Sequence, residues 1–162
     1  MLLFLFILLV LIRIFIIIKE LLYKKKINEL LKEIRSKEDL LYLNFNDYKS
    51  LIIEVLKRYG YKVKSTDACG IDGSGLKLNN THFAEIWKHG LQQQVDVELA
   101  MNFAKCMQRN SIYRGMLITL GDFKLCTKIY CKKNVIECIN GDQLLGMFKA
   151  VQHAEVILET AK

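Results

Sequence analysis

Proline is absent from this 162-residue chain, no stretch is rich in Gly and Ser, and no segment repeats. Without those linker signals nothing beyond Asn46 marks an internal break, so a single folded domain is expected there. Histidine is scarce, with three in all. The five cysteines, Cys69, Cys106, Cys126, Cys131 and Cys138, form no C-x-x-C pair and have no His partner at zinc spacing. That pattern excludes the common zinc and dithiol motifs, and the odd count in a cytoplasmic domain predicts reduced, mostly buried thiols. Acidic residues are the minority, 17 against 24 Lys and Arg, for a net charge of +7. Residues 44–162 hold sixteen Lys and Arg against twelve Asp and Glu, or +4. Such mild basicity allows a nucleic-acid partner without demanding one.

The chain does have a long apolar run. Met1 to Ile18 is Leu, Ile, Phe and Val almost without interruption, with Arg13 as its single charge. A helix of that length reaches roughly 27 Å, close to a hydrocarbon core of about 30 Å. Lys19, Lys24, Lys25 and Lys26 follow the run and no charge precedes Arg13, which predicts an uncleaved transmembrane anchor rather than a signal peptide. The positive-inside rule then places the remainder in the cytoplasm, giving a single-pass membrane protein. From Lys19 to Leu43, Ile27, Leu30, Leu31 and Ile34 recur at helical spacing opposite Glu29, Lys32, Glu33 and Arg35. This reads as a basic amphipathic stalk docked on the domain, with anionic lipid or self-association into a homo-oligomer as its alternative uses. The expected division is residues 1–18 as anchor, 19–43 as stalk and 44–162 as the domain.

Within the domain, Asn46 or Asp47 is expected to cap a helix running to Arg58, which Gly60 stops. Strands follow at 61–65, 75–78 and 83–88, the last two joined by an Asn79-Asn80 hairpin turn. A helix over 95–108, a buried strand over 115–120, a helix over 123–132 capped by Asp122, a strand over 135–139 and closing helices over 142–158 complete the pattern. The order αβββαβαβα predicts an α/β fold, a mixed sheet flanked by helices.

Two short stretches carry chemistry. Gly70-Ile71-Asp72-Gly73 and Ile86-Trp87-Lys88 set one carboxylate and one amine where neighbouring strands bring them together. An acid that holds a hard cation and a lysine that steadies a phosphate or water are the minimum for metal-assisted phosphodiester cleavage. Glu85 is a further acid on the same segment, although strand alternation points it away from the face shared by Ile86 and Lys88 unless a bulge re-aims it.

These residues also carry a resemblance. Tyr48-Lys49-Ser50-Leu51-Ile52-Ile53-Glu54-Val55-Leu56-Lys57-Arg58-Tyr59-Gly60-Tyr61-Lys62-Val63 is similar to the opening helix and first strand of the Mrr-type restriction endonuclease domain. Gly70-Ile71-Asp72-Gly73 resembles the acid turn of that family, and Phe83 to Lys88 its strand ending in Q-x-K or E-x-K. Tyr113 to Phe123 is similar to its strand and T-x-G-x-F turn, and Ile139 to Leu145 to its closing strand and last helix. Two positions depart from the pattern: Ile86 stands where the family has Gln or Glu, and Lys49 where it often has Glu.

The resemblance implies a restriction-endonuclease-like PD-(D/E)xK core acting on double-stranded DNA with Mg²⁺ or Mn²⁺, often on modified DNA. Asp72, Lys88 and Glu85 would be catalytic, with Asp72 and Glu85 as the metal ligands. Together with the apolar run, it predicts a membrane-anchored nuclease. The alternative is a nuclease fold that binds DNA or a protein partner at the membrane without cutting.

Overall fold

The computed structural model describes residues 2–70 and 73–160, with side chains described for 6–70, 73–154 and 156–157. It divides into two compact units, Met1–Glu33 and Ile34–Lys162.

The first unit is one helix, α1 (Leu2–Glu33), which runs unbroken from the apolar run into the basic segment. No helix among the described residues is long and apolar enough to cross a membrane. This overturns the single-pass anchor and the membrane localisation expected from the sequence. The physical reason lies in the charges. Arg13 interrupts the apolar run, and Lys19, Glu20, Lys24, Lys25 and Lys26 follow it directly, so charge closes the run before a membrane-spanning length is reached.

The second unit opens with α2 (Lys37–Tyr42), held by a capping box in which Ser36 and Asp39 bond each other's backbone amides. Next comes α3 (Phe45–Arg58). Its cap is Asn44, whose Oδ1 accepts from the Asp47 amide at 2.9 Å while its Nδ2 donates to Asp47 Oδ2 at 2.8 Å. Asp47 is therefore the third residue of the helix and not its cap. At the other end Gly60, at φ +90°, stops α3 as expected.

β1 (Val63–Ser65), β2 (Gly75–Leu78) and β3 (His82–Trp87) form an antiparallel meander. Its hairpin turns on Asn79 and Asn80, both at positive φ (52° and 61°), the backbone of a type I′ turn. After α4 (Val97–Arg109) and α5 (Leu125–Lys133), the strands β5 (Arg114–Thr119) and β7 (Ile136–Ile139) join β3 in parallel. The sheet order is β1-β2-β3-β5-β7, mixed as expected. Helix α6 (Gly141–Thr160) closes the chain as one continuous element.

One local feature departs from the sequence reading. Gln94–Val95 (β4) and Asp122–Phe123 (β6) pair as a small parallel ladder, so Asp122 is a strand residue and does not cap α5. Its carboxylate accepts from the Phe123 amide at 2.8 Å, from Asn140 Nδ2 at 3.2 Å and from Lys128 Nζ at 2.9 Å.

Both faces of the sheet are covered. On one, Phe83 and Leu117 pack with Phe103, Ala104 and Met107 of α4 and with Cys131 of α5. The approach is close, because a Cβ on Gly115 would lie 2.5 Å from Phe103 Cε1 and 2.6 Å from Met107 Sδ. The other face takes α3 and α6, whose Leu51, Ile52, Val55, Leu144 and Phe148 are buried. Burial on both sides explains why β5 reads as a continuous apolar run.

Candidate active site

The segment between β1 and β2 is built tightly. At its base the Thr66 amide donates to the Gly75 carbonyl at 3.1 Å. Gly75 must lack a side chain, since a Cβ there would stand 1.7 Å from the Cys69 carbonyl oxygen. Gly70 and Gly73 adopt φ +94° and +78°, a region L side chains rarely enter. Ile71 and Asp72 lie outside the described residues, so the Asp72 carboxylate is not placed. What brackets it is well defined. On the α4 side Cys69 is joined to Cys106 by a disulfide. Towards α3, Lys49 Nζ donates to the Gly73 carbonyl. Beyond Gly73, the Ser74 carbonyl accepts from the Ile86 amide at 3.2 Å, continuing the β2–β3 ladder towards Lys88.

Lys88 follows directly on β3. Its Nζ donates to the Leu43 carbonyl at the entrance to α3 and stands 5.9 Å from the Tyr48 ring centroid. Burial lowers its pKa, which eases loss of its proton. Tyr48 is fully buried, its Oη finds no hydrogen-bond partner among the described residues, and burial raises its pKa. Lys88 and Lys49 thus both reach backbone carbonyls from the α3 side of the sheet.

Glu85 does not join them. The pairing of β3 with β2 and β5 runs residue for residue through His82–Trp87 with no bulge. Alternation therefore sets Glu85 on the face of Phe83 and Trp87, where α4 packs. It is 4% exposed, opposite Leu117 and Gly75. Ile86, on the Lys88 face, is 1% exposed. Among the described residues no group of three or more His, Cys, Asp or Glu is arranged to hold a metal ion. The hard carboxylate of Asp72, in a glycine-flanked turn, suits Mg²⁺ in kind. It would offer one protein ligand, so water and substrate phosphate oxygens would have to complete the shell.

The sequence reading missed two features of the site. The Cys69–Cys106 disulfide corrects the expectation that every thiol is reduced. No spacing signals it, because the two residues meet only when α4 packs over the segment that follows β1. Cys126, Cys131 and Cys138 are free. A hydrogen bond between the last two holds the Cys131 thiol below its ordinary range and pushes that of Cys138 up. The contact of Lys49 with the acid turn is the second, and its signal was present as the departure from the family's acid at that position.

The family model Mrr_cat, described as restriction endonuclease, matches residues 41–148. No curated protein matches the chain. Among solved structures the chain is similar to AF1548, a protein of unknown function, with 13% identity and a TM-score of 0.45 over 60% of this chain and 62% of that one. It is also similar to the MspJI restriction endonuclease in complex with a 27-mer oligonucleotide, with 12% identity and a TM-score of 0.46 over 74% of this chain and 35% of that one. The DNA modification-dependent restriction endonuclease AspBHI gives 13% identity and a TM-score of 0.44 over 73% and 38%. The chain thus spans between 35% and 62% of the length of these proteins. The family match covers about two thirds of this chain, from α2 into α6. The chain belongs to the Mrr_cat restriction endonuclease family.

Proposed function

We propose that this protein is a DNA endonuclease that hydrolyses phosphodiester bonds in a Mg²⁺- or Mn²⁺-dependent manner, with Asp72 and Lys88 as its catalytic residues and modified or foreign DNA as its substrate. The observation that carries the reading is the placement of Lys88 at the end of β3, beside the ladder that leads back to the Gly70–Gly73 turn. In this reading Asp72 holds the cation. A bound divalent ion supplies an acidified water and neutralises charge on the phosphate. Lys88 gives up the Leu43 carbonyl to a phosphate oxygen, and its ammonium stabilises the negative charge that grows there. Partial burial strengthens that interaction relative to one in open water. Glu85, on the opposite face, serves as an acid or ligand only if β3 rearranges when DNA binds.

The test is nicking of methylated and unmethylated supercoiled plasmid by the purified full chain with each ion. The expected result is cleavage by the wild type that is lost in both Asp72→Ala and Lys88→Ala. A second reading, DNA binding without cutting, is favoured by the apolar Ile86 on the Lys88 face and the separation of Glu85 from it. Salt-sensitive DNA binding with no cleavage under either ion would select it.

A further inference from the structure

We propose that the end of the sheet opposite Lys88 binds single-stranded DNA, with Arg114, His82 and Lys132 meeting its phosphates and Tyr61 and Tyr113 stacking on its bases. His82 and Arg114 open the parallel strands β3 and β5 side by side, as register partners. Two cavities adjoin this pair. One, of about 420 Å³, is lined also by Tyr61, Lys132 and Glu137. The other, of about 520 Å³, is lined also by Asn80 and Tyr113. Each has the size of an ordinary ligand site. Because they share His82 and Arg114, they make one cleft with a tyrosine in each lobe and the two basic groups common to both, which matches the base, backbone, base order of a nucleic-acid strand. His82 stands six residues before Lys88, roughly 20 Å along extended chain. The cleft is therefore separate from the candidate cleavage site, and the proposal goes beyond the nuclease reading and stands whether or not the chain cuts.

The lining suits an unpaired strand. Arg114 and Lys132 are exposed, and among the described residues neither makes a hydrogen bond or an ion pair. The planar fork of a guanidinium fits a phosphate. Thr81 Oγ1 lies 2.7 Å from His82 Nδ1, which occupies one ring nitrogen and leaves Nε2 for a ligand. Glu137 is the one carboxylate among the described lining residues, so the cleft stays net positive while offering an acceptor to a base amino group. Tyr113 is 77% exposed beside Arg114, an aromatic face that a stacked base would cover. Tyr61 is set where α3 stops, its amide donating to the Leu56 carbonyl at 3.1 Å. Between α5 and β7, Val135 holds φ +55°, a conformation costly for a β-branched residue, and its carbonyl accepts from the Gly115 amide at 3.1 Å, fixing the wall next to Arg114. Duplex bases stack on one another and present no free face, whereas the bases of a single strand do.

The test is fluorescence anisotropy of the full chain with a labelled oligothymidylate of about 12 nucleotides in metal-free buffer. Arg114→Gln should bind at least fivefold more weakly and flatten the slope of log affinity against log salt by about 0.7, the share of one phosphate contact on a single strand. Tyr113→Ala should also lose at least fivefold, and Tyr113→Phe should stay within twofold of wild type. Lys149→Gln makes the same charge change at an exposed position of α6 outside both cavities and should stay within twofold. With 5-iodouracil in the strand, photocrosslinks should fall on peptides that hold Tyr61 or Tyr113, and an equal concentration of duplex should not suppress them. No binding by the wild type, a Lys149→Gln loss equal to that of Arg114→Gln, crosslinks confined to the peptide around Lys88, or displacement by thymidine monophosphate as readily as by the strand would each overturn the proposal. A wild type that binds the strand here but cuts no plasmid defeats the nuclease reading alone. One that cuts plasmid without binding the strand defeats this proposal alone.

Discussion

Single residues decide how much chemistry this site retains. Ile86 is 1% exposed on the same face of β3 as Lys88, so its side chain belongs to the packing between the sheet and α3. Putting back the family's acid as Ile86→Glu buries a carboxylate without a designed partner. We expect a loss of about 3 kcal/mol or more in urea unfolding. Ile86→Val should cost only about 0.5–1.5 kcal/mol. Near-equal losses from the two variants would show that the position opens to water. Asp122 illustrates the opposite balance. Burial would raise its pKa, but the Lys128 ammonium, the Phe123 amide and Asn140 outweigh that and hold the carboxyl below its ordinary value. A group depressed in the folded state stabilises above its unfolded pKa of about 3.9 and loses that effect as pH falls through the folded value. Asp122→Asn should therefore be less stable than wild type at pH 7, and the gap should close at and below the folded pKa. Thermal unfolding across pH 2.5–7 checks the sign.

At the scale of elements, the sequence showed those segments whose period and stop signals agree. The apolar stripe of α3 ends at Gly60, and the Asn79-Asn80 hairpin sits where both residues can take positive φ. It showed less where tertiary pairing overrides local preference. Asp122 looks like a helix cap, yet β4 draws it into a ladder. Asn44 displaces Asp47 as the α3 cap because its amide serves both the Asp47 backbone and the Asp47 carboxylate. In the candidate site, alternation along β3 correctly placed Glu85 away from Lys88. The Lys49 contact showed only as a departure from the family's usual acid and its partner was not legible, because the bond joins α3 to a turn 24 residues away. The start of β2 offers a direct test. Gly75→Ala pushes a methyl group to 1.7 Å from the Cys69 carbonyl, which the β1–β2 connection must relieve by moving. A stability loss of at least about 2 kcal/mol in urea unfolding is expected. Plasmid cleavage should fall with it, since the displaced backbone leads into Asp72.

For the molecule as a whole, the disulfide is the feature that composition concealed. Cys69 and Cys106 are 37 residues apart in sequence, and closing a loop of that length is worth about 4 kcal/mol in the chain-entropy account. Reduction should lower the urea midpoint accordingly, with thiol alkylation and mass spectrometry reporting the bond's state. The same linkage makes residues 69–106 a covalent ring, and that ring contains Asp72, the exposed Asn79-Asn80 tip and Lys88. A protease that clips the hairpin tip would leave both candidate catalytic groups on one molecule, running as a single band on a non-reducing gel and as two fragments once a thiol is added. A nicked preparation would thus pass for intact until the bridge is opened.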